Sequence, residues 1–79
     1  MKLTQLEKSL LNILAHEWEN SGPPGYLETT LIADRLNISV ADAKSIIRSL
    51  FEKGIVDTDE VDTFAAYLTP QGYELARKE

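Results

Sequence analysis

Apolar residues near the start of the chain return every three or four positions: Leu3, Leu6, Leu10, Ile13, Leu14 and Trp18. That spacing follows the turn of an α-helix and predicts an amphipathic helix from about Thr4 to about Asn20. Thr4 and Glu7 fit a capping box, in which each side chain accepts from a backbone N–H that the first turn leaves unpaired. Ser21-Gly22-Pro23-Pro24-Gly25 ends the helix, because Pro24 disfavours helical geometry at the residue before it and neither proline has a backbone donor. Two prolines without PxxP spacing are read as a turn and not as a proline-rich ligand.

Tyr26-Leu27-Glu28 reads as a short extended piece, and Thr29 or Thr30 is placed to cap a second, short helix that turns Leu31, Ile32, Ala33 and Leu36 towards a core. Asn37-Ile38-Ser39 is a tight connection, with Asn37 suited to a left-handed conformation. A third helix follows, with Ser39 as N-cap, Asp42 in its first turn and Gly54 as its stop. At ~100° per residue, Val40, Ala43, Ile46, Ile47, Leu50 and Phe51 share an apolar arc, and Ala41, Lys44, Ser45, Arg48 and Glu52 lie opposite. After Gly54 the period shortens: Ile55-Val56 and Phe64 to Leu68 read as two strands of an antiparallel hairpin, separated by the polar segment Asp57 to Thr63. Thr69-Pro70 opens a last helix carrying Tyr73, Leu75 and Ala76. The expectation is a mainly α fold with a small β-hairpin (α+β), in the order helix-helix-helix-strand-strand-helix.

A length of 79 residues and 43% apolar content limit the chain to one domain, 1–79, with one small core. The absence of cysteine removes disulfides and thiolate metal sites and permits a reducing compartment, so a cytoplasmic location is expected. Glu7, Lys8, Asn12 and His16 interrupt the first apolar stretch at helical intervals, which predicts neither a signal peptide nor a membrane span. The formal net charge is −5, and this balance opposes a polyanionic ligand unless the cations are gathered locally.

The stretch TTLIADRLNISVADAKSIIRSLFEKGIV, Thr29 to Val56, resembles the winged-helix family of helix-turn-helix domains. The likeness is carried by Ile32-Ala33, Leu36, Asn37, and the run from Leu50 through Gly54 to Ile55-Val56. YLTPQGYELA, Tyr67 to Ala76, is similar to the passage from wing to helix in the multiple-antibiotic-resistance (MarR) and phenolic-acid (PadR) repressor groups. The resemblance implies a helix-turn-helix at about 29–53, a wing hairpin at about 55–68 and a C-terminal helix at about 70–78. It further implies a small DNA-binding transcriptional regulator, acting as a homodimer, whose third helix enters the major groove. Its DNA-binding residues would be Ala41, Lys44, Ser45 and Arg48, with Thr29 and Thr30 adding phosphate contacts. Leu11, Trp18 and the C-terminal helix are candidates for the dimer contact.

The wing departs from that pattern. From Gly54 to Ala76 there is no Lys or Arg, while Asp57, Asp59, Glu60 and Asp62 crowd the loop that family members load with basic residues. A second reading is therefore a winged-helix module that binds protein and not nucleic acid, with a basic partner on the acidic wing. Trp18, Phe51, Asp59, Glu60 and Tyr73 are its candidate contact residues. The acidic run lacks the central glycine and distant glutamate of an EF-hand, and His16 has no second histidine at metal-binding spacing, so no metal or cofactor is expected. No nucleophile motif and no glycine-rich phosphate loop is present, so no enzyme is expected.

Overall fold

The computed structural model describes residues 3–22, 25–58 and 65–78. Its elements are α1 (Gln5–Ser21), β1 (Leu27–Glu28), α2 (Thr29–Leu36), α3 (Val40–Glu52), β2 (Val56–Thr58), β3 (Ala65–Leu68) and α4 (Pro70–Lys78). The architecture is the expected winged helix-turn-helix, four helices and a small antiparallel sheet. Met1, Lys2, Pro23, Pro24, residues 59 to 64 and Glu79 lie outside the described residues, and with them Phe64 of the expected second strand.

The helix ends are set by the residues the sequence places there. Thr4 Oγ1 accepts from Glu7 N at 3.1 Å while Glu7 Oε1 accepts from Thr4 N at 2.9 Å, completing the capping box. Ser39 caps α3 by accepting from Asp42 N at 3.0 Å. Asn37, at φ 59°, ends α2 in the left-handed region, with the Ile38 N–H reaching back to the Ala33 carbonyl. Gly54, at φ 77°, does the same for α3: its N–H donates to Phe51 O, and the Ile55 N–H donates to Leu50 O. One cap differs from expectation. Thr29 is already helical and buried, and the N-cap of α2 is Glu28, whose side chain makes no cap hydrogen bond. Pairing of Leu27 and Glu28 with Ala66 and Ala65 keeps the chain extended up to Glu28 and delays the helix until Thr29.

That pairing also makes the sheet three-stranded, in the order β1-β3-β2, so the wing is joined to the start of the helix-turn-helix by backbone hydrogen bonds. The core gathers Leu10, Leu11 and Leu14 from α1, Ile32 from α2, Ile47 and Leu50 from α3, and Ile55, Val56 and Leu68 from the wing. The inward face of α1 is rotated from the expected stripe. Glu7, Leu10, Leu11 and Leu14 point in, with Leu3 buried just ahead of the helix, and Leu6 stays 42% exposed. Leu11 is therefore interior to the domain and offers nothing to a second copy, because it is already covered by this chain.

Thr69 joins the wing to α4. Its hydroxyl accepts from Gly72 N at 2.9 Å and is shared as a donor between the Gly54 and Ile55 carbonyls, at 2.9 and 3.0 Å. Gly72 presses so closely on the Ile55 carbonyl oxygen that a Cβ at this position would run into it. The end of α3, the first wing strand and the start of α4 are thus fixed to one another.

Candidate nucleic-acid interface

The helix-turn-helix consists of α2 and α3 joined through Asn37, Ile38 and Ser39. Ala43, Ile47 and Leu50 bury one side of α3, which fixes its rotation, and the other side is left to solvent. Ala41, Ser45 and Arg48 are exposed and Lys44 is half-buried along this outward side, at the i, i+3, i+4, i+7 spacing of one helical face. Val40 and Phe51, assigned to the apolar arc, lie at its margins and are 39% and 48% exposed. Thr30 faces solvent at the start of α2. Thr29 does not: it is 1% exposed, so its side chain is turned into the domain, away from any phosphate.

The far end of α3 is held by a group that sequence reasoning missed. Glu7 is buried on α1, and its Oε2 accepts from Ser49 Oγ at 3.2 Å and Lys53 Nζ at 3.0 Å. Burial by itself raises the Glu7 carboxyl, but the Thr4 N–H, the Lys53 ammonium and the Ser49 hydroxyl together outweigh it and hold the pKa below the ordinary carboxylate value. The capping box explains Glu7 within its own helix. Its second oxygen contacts residues 42 and 46 positions away, and no local pattern announces a contact at that separation.

In the wing, Asp57 faces Tyr67 across the strands and accepts its hydroxyl at 3.2 Å. This hydrogen bond, then burial and the carboxylate charge, raise the Tyr67 phenol. The described part of the wing is thus acidic and internally paired. Asp59 and Glu60 lie outside the described residues.

The aromatic candidates form an intramolecular lock. Trp18 and Tyr73 stack with ring centroids 4.7 Å apart and planes 10° from parallel, which fastens α4 to the end of α1. The Tyr73 hydroxyl donates to Glu19 Oε2 at 2.9 Å, a bond that raises its pKa, and Arg77 stands 5.8 Å from the same ring. Both rings are half-buried. Among the described residues no group of three or more His, Cys, Asp or Glu side chains could hold a metal ion, and no helix is long and apolar enough to cross a membrane.

These features define a winged helix-turn-helix domain of MarR-like architecture. Over 98% of this chain it superposes on the adhesin competence repressor AdcR of Streptococcus pyogenes, with a TM-score of 0.74 and 27% identity, and covers 55% of that protein. ZitR of Lactococcus lactis, a zinc-responsive MarR family member, matches over 98% of this chain and 51% of its own, at TM-score 0.74 and 25% identity. A protein from Ralstonia eutropha, described as a candidate DNA-binding protein, matches at TM-score 0.77 and 24% identity over 98% of this chain and 96% of its own. The chain therefore spans about half the length of the AdcR and ZitR chains it matches. No protein-family model and no curated protein matches the sequence.

Proposed function

We propose that this chain is the DNA-binding module of a transcriptional regulator, with α3 as its reading helix. The observation that carries the reading is the outward face of α3, where Ala41, Lys44, Ser45 and Arg48 line up on a helix whose rotation the core fixes. Arg48 has the forked geometry for a guanine edge or a phosphate, Lys44 supplies a point charge for phosphate, and Ser45 donates to either. Thr30 adds a hydroxyl at the start of α2. The fold neighbours support this reading, one of them a repressor and another described as DNA-binding. The module acts in the cytoplasm without a catalytic role, and as a homodimer that sets two reading helices about one DNA turn apart.

Fluorescence anisotropy of a short labelled duplex tests this. Binding is expected at about 50 mM salt, with a loss of roughly tenfold or more by about 200 mM as counterions compete. Arg48→Ala should weaken binding at low salt, with circular dichroism checking that the variant stays folded. Absence of binding at low salt, or binding indifferent to salt, would overturn the proposal.

A second reading is favoured by one observation: residues 54 to 76 contain no Lys or Arg, and the net charge is −5. On that reading the wing, with Asp57, Asp59 and Glu60, docks a basic protein partner. Asp59→Lys with Glu60→Lys separates the two, since it should strengthen nonspecific DNA binding on the first and abolish partner capture on the second.

A further inference from the structure

In a helix that docks into the major groove, the N-terminal residues are those that reach base edges. At this end α3 presents two apolar side chains to solvent, Val40 at 39% exposure and Ala41 beside it, also exposed. Helix propensity accounts for Ala41, the best helix former, but not for Val40. Val40 fills no core position, and a β-branched residue at an exposed helix site lowers helix propensity slightly. The polar groups nearby are already committed to the helix itself: Ser39 Oγ accepts from Asp42 N, and the Asp42 carboxylate sits in the first turn, where it meets the positive helix end. That carboxylate repels a phosphate from the place where helix N-termini otherwise bind one. What the tip of α3 offers a base edge is therefore the apolar pair Val40 and Ala41, beside the exposed Asp42 carboxylate.

Unmodified base pairs carry one apolar group in the major groove, the C5-methyl of thymine. Resting on the DNA-binding reading above, we infer that Val40 and Ala41 read thymine methyl groups, making the tip of α3 a specificity element for T·A pairs. Arg48 lies eight residues further along, ~12 Å at the rise of an α-helix. Its contact falls roughly three to four base pairs away at the ~3.4 Å spacing along a DNA strand. The recognised half-site thus carries a thymine at one end and the Arg48 contact roughly three to four pairs away.

The test uses the full chain to select duplexes from a randomised library at low salt, followed by replacement of each thymine in the enriched site with deoxyuridine. Deoxyuridine keeps every hydrogen-bonding group and removes only the methyl. One or two positions should show a loss of roughly fourfold per methyl, the effect of burying one such group. Val40→Ala should shrink that discrimination without lowering the melting temperature, alanine being the better helix former. A selected duplex that binds equally well with deoxyuridine at every position would overturn this inference and leave the DNA-binding proposal standing. Failure to enrich or retain any duplex would overturn both.

Discussion

On the proposed DNA-binding reading, α3 and the wing are the two parts of this fold that would meet a duplex, and they carry opposite chemistry. Lys44, Ser45 and Arg48 lie along the outward side of α3, whereas the described wing offers Asp57, paired with Tyr67, and contains no cation. The two are nevertheless built on one rigid junction, since Gly54, Ile55, Thr69 and Gly72 are bound together where α3, β2 and α4 meet. Shared scaffolding with divided electrostatics means that affinity for a polyanion has to come from the helix, against the wing. Winged-helix geometry alone therefore does not fix the sign of the surface it presents.

Breaking the junction should have the largest effect. Gly72→Ala forces a methyl into the Ile55 carbonyl oxygen, and a loss of about 3 kcal/mol is expected, in the range for overpacking with backbone displacement. Thermal denaturation followed by circular dichroism would register it as a fall of well over ten degrees for a domain this small.

Loosening the far end of α3 should cost less. Glu7→Gln removes the charge that Lys53 and Ser49 contact, with an expected loss of about 1–2 kcal/mol near neutral pH, Lys53 being partly exposed and screened. The Glu7 pKa is lowered by folding, so its contribution is fully present above the unfolded value and disappears as pH falls through the folded one. Urea titrations should separate wild type from variant at pH 7, and the gap should close as pH falls below the ordinary carboxylate range.

Two changes act on the contrast itself. Lys44→Ala combined with Arg48→Ala should weaken duplex binding by roughly tenfold or more and reduce the salt slope by about one unit per cation lost. Asp57→Asn should do the opposite on a smaller scale, strengthening nonspecific binding a few-fold as one repelling charge leaves the wing. The same substitution should move the Tyr67 phenol back towards its ordinary value, measurable by ultraviolet titration, because Asp57 is the main cause of its rise.

The sequence carried these elements unequally. Caps and stops were legible because their signals are local: Thr4 with Glu7, Ser39 with Asp42, Asn37, Gly54 and Thr69 each act within a few residues of themselves. The outward face of α3 was legible because periodicity alone separates it from the core. Contacts that depend on tertiary placement were not. Glu7 reads as a capping residue and gives no sign of reaching Lys53, and the buried position of Thr29 follows from pairing of β1 with β3, which no spacing reveals. Trp18 and Tyr73 read as separate candidates for a partner surface, yet they stack on each other. Leu11 lies one helical step from Leu10, and only the packing of other elements around α1 settles that both are interior.

The most direct test of the central claim is an amide chemical-shift titration of the chain with a short duplex at low salt, repeated at higher salt. Shifts gathered at Thr30 and from Ala41 to Arg48, absent from the wing strands and reversed by salt, are the expected result. Shifts centred on Trp18 and Tyr73, or none at millimolar concentrations, would contradict it and turn the search towards a protein partner.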